Sequence, residues 1–113
     1  MKRKFRLTKS SDFKRVRRKG RSYAHPLIVL VALPRENGHS QFGISAGRSV
    51  GTAVRRNRAK RMIREALRNI IPDIKAGWDI ILLSRHSLPD ASLSEIQSVL
   101  IQLLSRAGLI REI

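Results

Sequence analysis

The stretch FGISAGRSVGTAVRRNRAKRMIREALR, residues 42–68, decides how the rest of the chain is read. It opens as a short strand and passes through a turn bearing Gly47 and Gly51. It then places Ala59, Met62, Ile63, Ala66, Leu67 and, just past its end, Ile70 at spacings of three and four. That is the apolar stripe of an amphipathic helix. Thr52 is a good N-cap and Pro72 ends the pattern, so a long helix runs from Thr52 to about Ile71. At about 100° of turn per residue, with the stripe against a sheet, Asn57, Arg61, Arg64 and Arg68 line the opposite side. Arg58 and Glu65 flank that line, and Arg56 and Lys60 sit nearer the seam.

Working outward, PLIVLVALP (26–34) reads as a strand buried on both faces. Pro34-Arg35-Glu36-Asn37-Gly38 is turn chemistry, and QFGISAG (41–47) is a plausible antiparallel partner, so 26–47 reads as a hairpin. Upstream, Ser10 or Thr8 can cap a helix over 11–19, with Phe13 and Val16 on one face and Gly20 at its end. Downstream, WDIILLS (78–84) is a second strongly apolar strand, with Trp78 packing at its start. Ser92-Leu93-Ser94-Glu95 is a capping box. It opens a helix with Leu93, Ile96, Val99, Leu100, Leu103, Leu104 and Ala107 at helical spacing, closed by Gly108. The pattern is α-β-β-α-β-α, a small sheet covered by helices in one domain of 113 residues, 1–113, with a short basic amino-terminal arm.

Charge is concentrated. The chain carries 24 Lys+Arg against 8 Asp+Glu, a net of +16. Residues 1–21 hold eleven of the cations against Asp12 alone, and residues 48–68 hold eight against Glu65 alone. The rest is nearly neutral. A solvated helix face ordinarily mixes signs, whereas the run from Arg55 to Arg64 meets no acid until Glu65. Like charges one turn apart repel, so this helix points to a polyanion as its partner. Arginine forks suit bidentate capture of phosphate, and the helix amino terminus adds free N–H groups and a positive dipole end. Asn57 adds no charge; it suits a hydrogen bond to a base, a sugar or a metal-bound water.

Other classes fare worse. Without cysteine there is no disulfide scaffold, no Cys-ligated zinc and no thiol nucleophile. His25, His39 and His86 are scattered, and Asp73, Asp79 and Asp90 lie near element ends without pairing, so a nuclease acting alone lacks a metal or acid–base site. No apolar run is long enough to span a bilayer, and the basic start MKRKFRLTK lacks the apolar stretch of a secretory signal. These features favour a cytoplasmic protein over a membrane-bound one. Aromatics make up 4% of the chain, too few for a sheet that reads many bases by stacking.

The quoted stretch resembles the signature region of the protein subunit of bacterial ribonuclease P. The residues that carry the resemblance are Gly43, Ser45, Arg48, Gly51, Ala53, Val54, Arg56, Asn57, Arg58, Lys60, Arg61 and Arg64. It extends to Leu7, Phe13, Val16 and Gly20 and to the strand at 78–84, and so covers about residues 7–105. The resemblance implies an α+β fold: a two-layer α/β sandwich of four strands and three helices with a left-handed β-α-β crossover, as in a ribosomal protein domain. The fourth strand, unseen in the pattern, would lie near Arg21 to Ala24.

The resemblance also implies a role without protein-borne catalysis. In that family a catalytic RNA uses Mg²⁺ to remove the 5′ leader of precursor tRNA, and the protein binds both RNAs. Carried over, Arg48, Arg55, Arg56, Asn57, Arg58, Lys60, Arg61, Arg64 and Arg68 would face ribonuclease P RNA. Arg6, Phe13, Arg17, Ser45 and Arg48 would hold the leader. One protein would pair with one RNA, and no metal would be held directly. Three positions depart from the pattern: Arg17 and Val31 stand where aromatics are frequent, and Thr52 stands where Asn is usual. Arg17 can stack by its guanidinium plane, which moves leader binding toward charge. A structural RNA-binding protein of the ribosomal type is the alternative that shares this size and charge.

Overall fold

The computed structural model describes residues 1–36 and 38–111. Three helices, α1 (Ser10–Lys19), α2 (Ala53–Arg68) and α3 (Leu93–Arg106), surround four strands, β1 (Arg21–Ala24), β2 (Ile28–Pro34), β3 (Gln41–Ala46) and β4 (Trp78–Ser84). The strand order is β1-β2-β4-β3. β1 pairs antiparallel with β2, β2 antiparallel with β4, and β3 parallel with β4 through the α2 crossover.

This order corrects the hairpin expected over 26–47. β4 inserts between β2 and β3, setting Leu30 against Leu82 and Phe42 against Ile80. The reason is burial on two faces. β2 and β4 are apolar at nearly every position, and only an interior place in a sheet covers both sides. β3 puts Gly43 and Ser45 on one face and settles at the edge. Turn residues reverse the chain but do not choose its neighbour. Asn37, part of that turn reading, lies outside the described residues, while Gly38 adopts φ 88°. β1 occupies Arg21–Ala24, where the resemblance placed a fourth strand; it is short and mostly exposed, so it carries little periodicity.

Alternation along β2 and β4 divides the core. Ile28, Leu30, Ile80 and Leu82 face α2 and α3, meeting Ile63, Leu67, Ile96, Leu100 and Leu103. Val31 and Ile81 face α1, meeting Leu7 and Val16, with Phe13 and Leu83 at the margin. Both expected helix starts form. Arg55 N donates to Thr52 Oγ1 at 3.2 Å, and Glu95 N donates to Ser92 Oγ at 3.1 Å while Ser92 N donates to Glu95 Oε1 at 3.3 Å. α1 differs: Lys9 is its N-cap, and neither Thr8 nor Ser10 caps it by a side chain. α2 ends at Arg68, and Ile71–Asp73 forms a separate 3-10 turn. Past α3, Gly108 N donates to Ser105 O and Leu109 N to Leu104 O, a Schellman ending that uses Gly108 at φ 72°.

Two devices fix the periphery. The arm lies along the free edge of β3, with Leu7 N donating to Phe42 O at 2.8 Å, so the edge strand is covered. Asp79, at the start of β4, has a side chain only 4% exposed and accepts from Arg15 Nη2 of α1 at 2.7 Å. Arg35 Nε stands 3.6 Å from the other oxygen. Asp79→Asn keeps the shape and removes the charged acceptor. It is expected to lower stability by about 1–3 kcal/mol in urea unfolding. A change below about 0.5 kcal/mol, within ordinary surface scatter, would show that apolar packing alone holds α1.

Candidate nucleic-acid interface

α2 is pinned to the core by Ala59, Ile63, Ala66 and Leu67, all buried, which forces its other residues outward. Asn57, Arg58, Arg61 and Arg68 are exposed, and Arg56, Lys60 and Arg64 are half-buried. Among the described residues no carboxylate lies within ion-pair distance of Arg48, Arg56, Arg58, Lys60, Arg61 or Arg64. Arg56 Nε donates to Gly51 O at 3.0 Å and Arg58 Nε to Pro89 O at 3.2 Å, which steadies each stem and leaves both Nη groups of each fork without a hydrogen bond among the described residues. Arg68 pairs with Glu65 at 3.1 Å on the exposed surface, an interaction of little strength. Val54, 78% exposed, adds an apolar group beside the row.

Arg55 departs from the set in which the sequence placed it. Its Nε donates to Val50 O at 2.7 Å, its Nη1 to Asp90 Oδ1 at 3.0 Å, and its Nη2 to Asp90 Oδ2 at 2.7 Å and His86 O at 2.8 Å. Most of its donors are therefore turned onto the chain itself, and Arg55 acts as a clamp between the start of α2 and the 86–90 turn. Gly51 makes room for it: a Cβ there would meet Arg55 Cδ at 2.8 Å. The bond from Arg55 holds the Asp90 carboxyl below its ordinary value. His86 reinforces the clamp, its Nδ1 bonded to Ser49 O at 2.8 Å. Sequence reading missed Asp90 and His86, because their partner lies more than thirty residues away.

The second set gathers around β3. Phe13 of α1 lies over Gly43, where a Cβ would come within 2.5 Å of the ring. The ring is half-buried at the margin of the α1-side cluster, so it packs and presents a surface at once. Ser45 follows two residues along the same face of β3, and Arg17 lies one turn beyond Phe13 on α1. At the strand edge, Arg6, Leu7, Thr8 and Phe13 meet Phe42, Ile44 and Arg64 around a hollow of about 250 Å³. Arg64 of α2 thus joins Arg6 and Phe13, while Arg17, Ser45 and Arg48 stay outside that hollow. Val31 is buried beneath α1 and offers no stacking surface.

Among the described residues no three His, Asp or Glu side chains converge to hold an ion. The histidines serve the backbone: His25 Nδ1 accepts from Leu27 N, His39 Nε2 bonds Lys4 O, and His86 bonds Ser49 O.

The fold and surface define a small basic α+β domain with a row of cations along the outer face of one helix. Residues 1–108 match the family model described as Ribonuclease P. A ribonuclease P protein component from Herpetosiphon aurantiacus is 42% identical over 109 residues, spanning 96% of this chain and 89% of that protein. One from Clostridium botulinum is 37% identical over 105 residues, spanning 92% and 95%. The RNase P protein of Staphylococcus aureus superposes with a TM-score of 0.83 at 33% identity, covering 95% of this chain and 98% of that one. That of Thermotoga maritima gives 0.80 at 30%, covering 89% and 96%. The chain belongs to the bacterial ribonuclease P protein family, the protein component of an endoribonuclease that processes tRNA.

The clamp has a pH signature. Because the Asp90 carboxyl is lowered in the folded chain, its contribution is complete above the ordinary carboxylate value and is lost as pH falls through the folded one. Asp90→Asn should therefore melt below the unsubstituted protein at neutral pH, with the gap in Tm closing in acid. A gap that stays constant across the acid range would show that the contact does not act through charge.

Proposed function

We propose that this chain is the RNA-binding subunit of ribonuclease P. In this reading the outer face of α2 docks on the catalytic RNA, and the surface between α1, the arm and β3 receives the 5′ leader of precursor tRNA. The observation that carries it is the row Arg56, Arg58, Lys60, Arg61 and Arg64, held outward by a buried stripe, with no carboxylate within ion-pair distance among the described residues. Rigid arginine forks bind phosphate oxygens in pairs and release counterions, which gives affinity without reading sequence. Asn57 supplies an amide in the middle of the row for a base edge or ribose. Val54 supplies apolar contact.

The chain's own part is binding and orientation. Phe13 on Gly43 offers a face for one leader base, and Arg6, Arg17 and Arg48 neutralise neighbouring phosphates. Bond cleavage and Mg²⁺ belong to the RNA in this reading, with one protein per RNA in the cytoplasm. Among the described residues no helix is long and apolar enough to cross a membrane.

Reconstitution tests the proposal. Added to a bacterial ribonuclease P RNA at low Mg²⁺, the protein should stimulate cleavage of precursor tRNA. The double variant Arg61→Ala/Arg64→Ala should bind that RNA about 1–3 kcal/mol more weakly and flatten the salt dependence by about one to two units. No stimulation by the unsubstituted protein would refute the reading. Normal binding by the double variant would mean that α2 presents only a solvated face.

Gly43→Ala probes the leader surface by displacing the Phe13 ring, whose tip the added methyl would approach to 2.5 Å. It should weaken binding of precursor tRNA to the reconstituted enzyme while leaving mature tRNA unaffected. Equal losses for both would place the defect in the fold.

A further inference from the structure

A separate hollow of about 420 Å³ lies between the arm and the far end of α2, and nothing above uses it. Phe5, Phe42, Ile71 and Ile74 are among its walls, and Lys2, His39 and Arg68 add polar and cationic groups. Ser40 also lines it, but its hydroxyl is already committed, donating to Lys75 O at 2.7 Å and accepting from Trp78 N at 3.0 Å. The hollow therefore offers apolar and aromatic surface together with positive charge.

Its aromatic wall is held in place. Phe5 stands edge-on to His39 with centroids 5.5 Å apart and planes at 84°, and the Lys4 ammonium lies 5.1 Å above its centroid. His39 fastens the arm by a 2.7 Å bond to Lys4 O. A carbonyl can only accept, so Nε2 carries the hydrogen in that bond. Arg68 ends the basic row of α2 and also borders this hollow, so the hollow continues that surface.

We propose that this hollow takes one unstacked nucleobase of the RNA that α2 binds, with Lys2 and Arg68 on the phosphates beside it. Three features select that occupant. A base is flat and π-faced, which suits a fixed phenyl wall; it carries phosphate, which suits the cations; and the adjoining helix is already the docking face for RNA. The volume lies within the range of about 300–1,000 Å³ typical of sites for small ring-bearing ligands. The proposal rests on the RNA-binding reading of α2.

The test uses the full chain with its isoleucine δ1 methyls labelled with carbon-13, bound to ribonuclease P RNA. A base in the hollow should move the Ile71 and Ile74 methyls upfield by its ring current while leaving the core methyl of Ile28 in place. Ala76→Trp, which fills the hollow from an exposed wall position and alters no charge, should weaken binding to that RNA about tenfold with an unchanged salt slope. Unmoved Ile71 and Ile74 methyls in a formed complex would overturn the base site and leave the α2 reading standing. Unchanged or tighter binding by Ala76→Trp would do the same. No binding by the unsubstituted chain would overturn both. Should Ala76→Trp fail to fold, the methyl shifts of the unsubstituted chain decide the matter.

Discussion

Carboxylates are the scarce group in this protein, 8 against 24 Lys and Arg, and their placement decides which cations build the fold and which face outward. Asp79 is sunk at the start of β4 and draws Arg15 and Arg35 to it, which fastens α1 and the end of β2 to the start of β4. Asp90 takes Arg55 and locks the beginning of α2 to the turn before α3. Glu95 closes the capping box of α3. The acids most intimately bound in the structure are thus given to anchoring. Among the described residues the outer row of α2 has one ion-paired acid, Glu65, at its far end and exposed. A polyanion can supply from outside the counter-charge that the chain withholds.

The amino-terminal arm joins what the charge distribution seemed to divide. By length along the chain, the basic arm and the basic helix are separate blocks. In space the arm runs beside β3, and Arg6 and Arg64 border one hollow while Arg68 borders the next. Covering an edge strand is a stability requirement in its own right. Here the covering segment is also cationic, so closing the sheet carries positive charge across its edge. The result is one curved surface from Phe13 through Arg64 to Phe5, with β3 as its spine.

Much of this was legible in the sequence because it depends on local chemistry. The stripe Ala59–Ile63–Ala66–Leu67, the Thr52 cap and the Ser92/Glu95 box are relations within one or two turns, and each forms as read. The two strongest apolar runs became the two interior strands. What failed was non-local. The pairing of β3 depended on β4, more than thirty residues downstream, outcompeting a nearer neighbour for β2. Arg55 was grouped with its helical neighbours because nothing nearby announces Asp90 or His86. β1 carries Tyr23 and little else apolar, so only resemblance to a family could locate it. The hollow beside Phe5 was invisible because its walls come from the arm, β3 and the turn after α2, three segments with no shared motif.

The repulsion along α2 has a structural counterpart. Cations one turn apart destabilise an isolated helix by a few tenths of a kcal/mol per pair. In this fold the inner stripe, the Thr52 cap and the Arg55 clamp hold the helix against that strain, so the row stands in register before any partner arrives. Such preorganisation reduces the ordering cost of association. Phosphates that meet the row then gain attraction and also relieve repulsion already present. A polyanion bound there would stabilise the folded chain through the ordinary linkage between ligand and fold. The excess of charge on α2 is tolerable because it lies on one side of a helix whose other side buries Ala59, Ile63, Ala66 and Leu67.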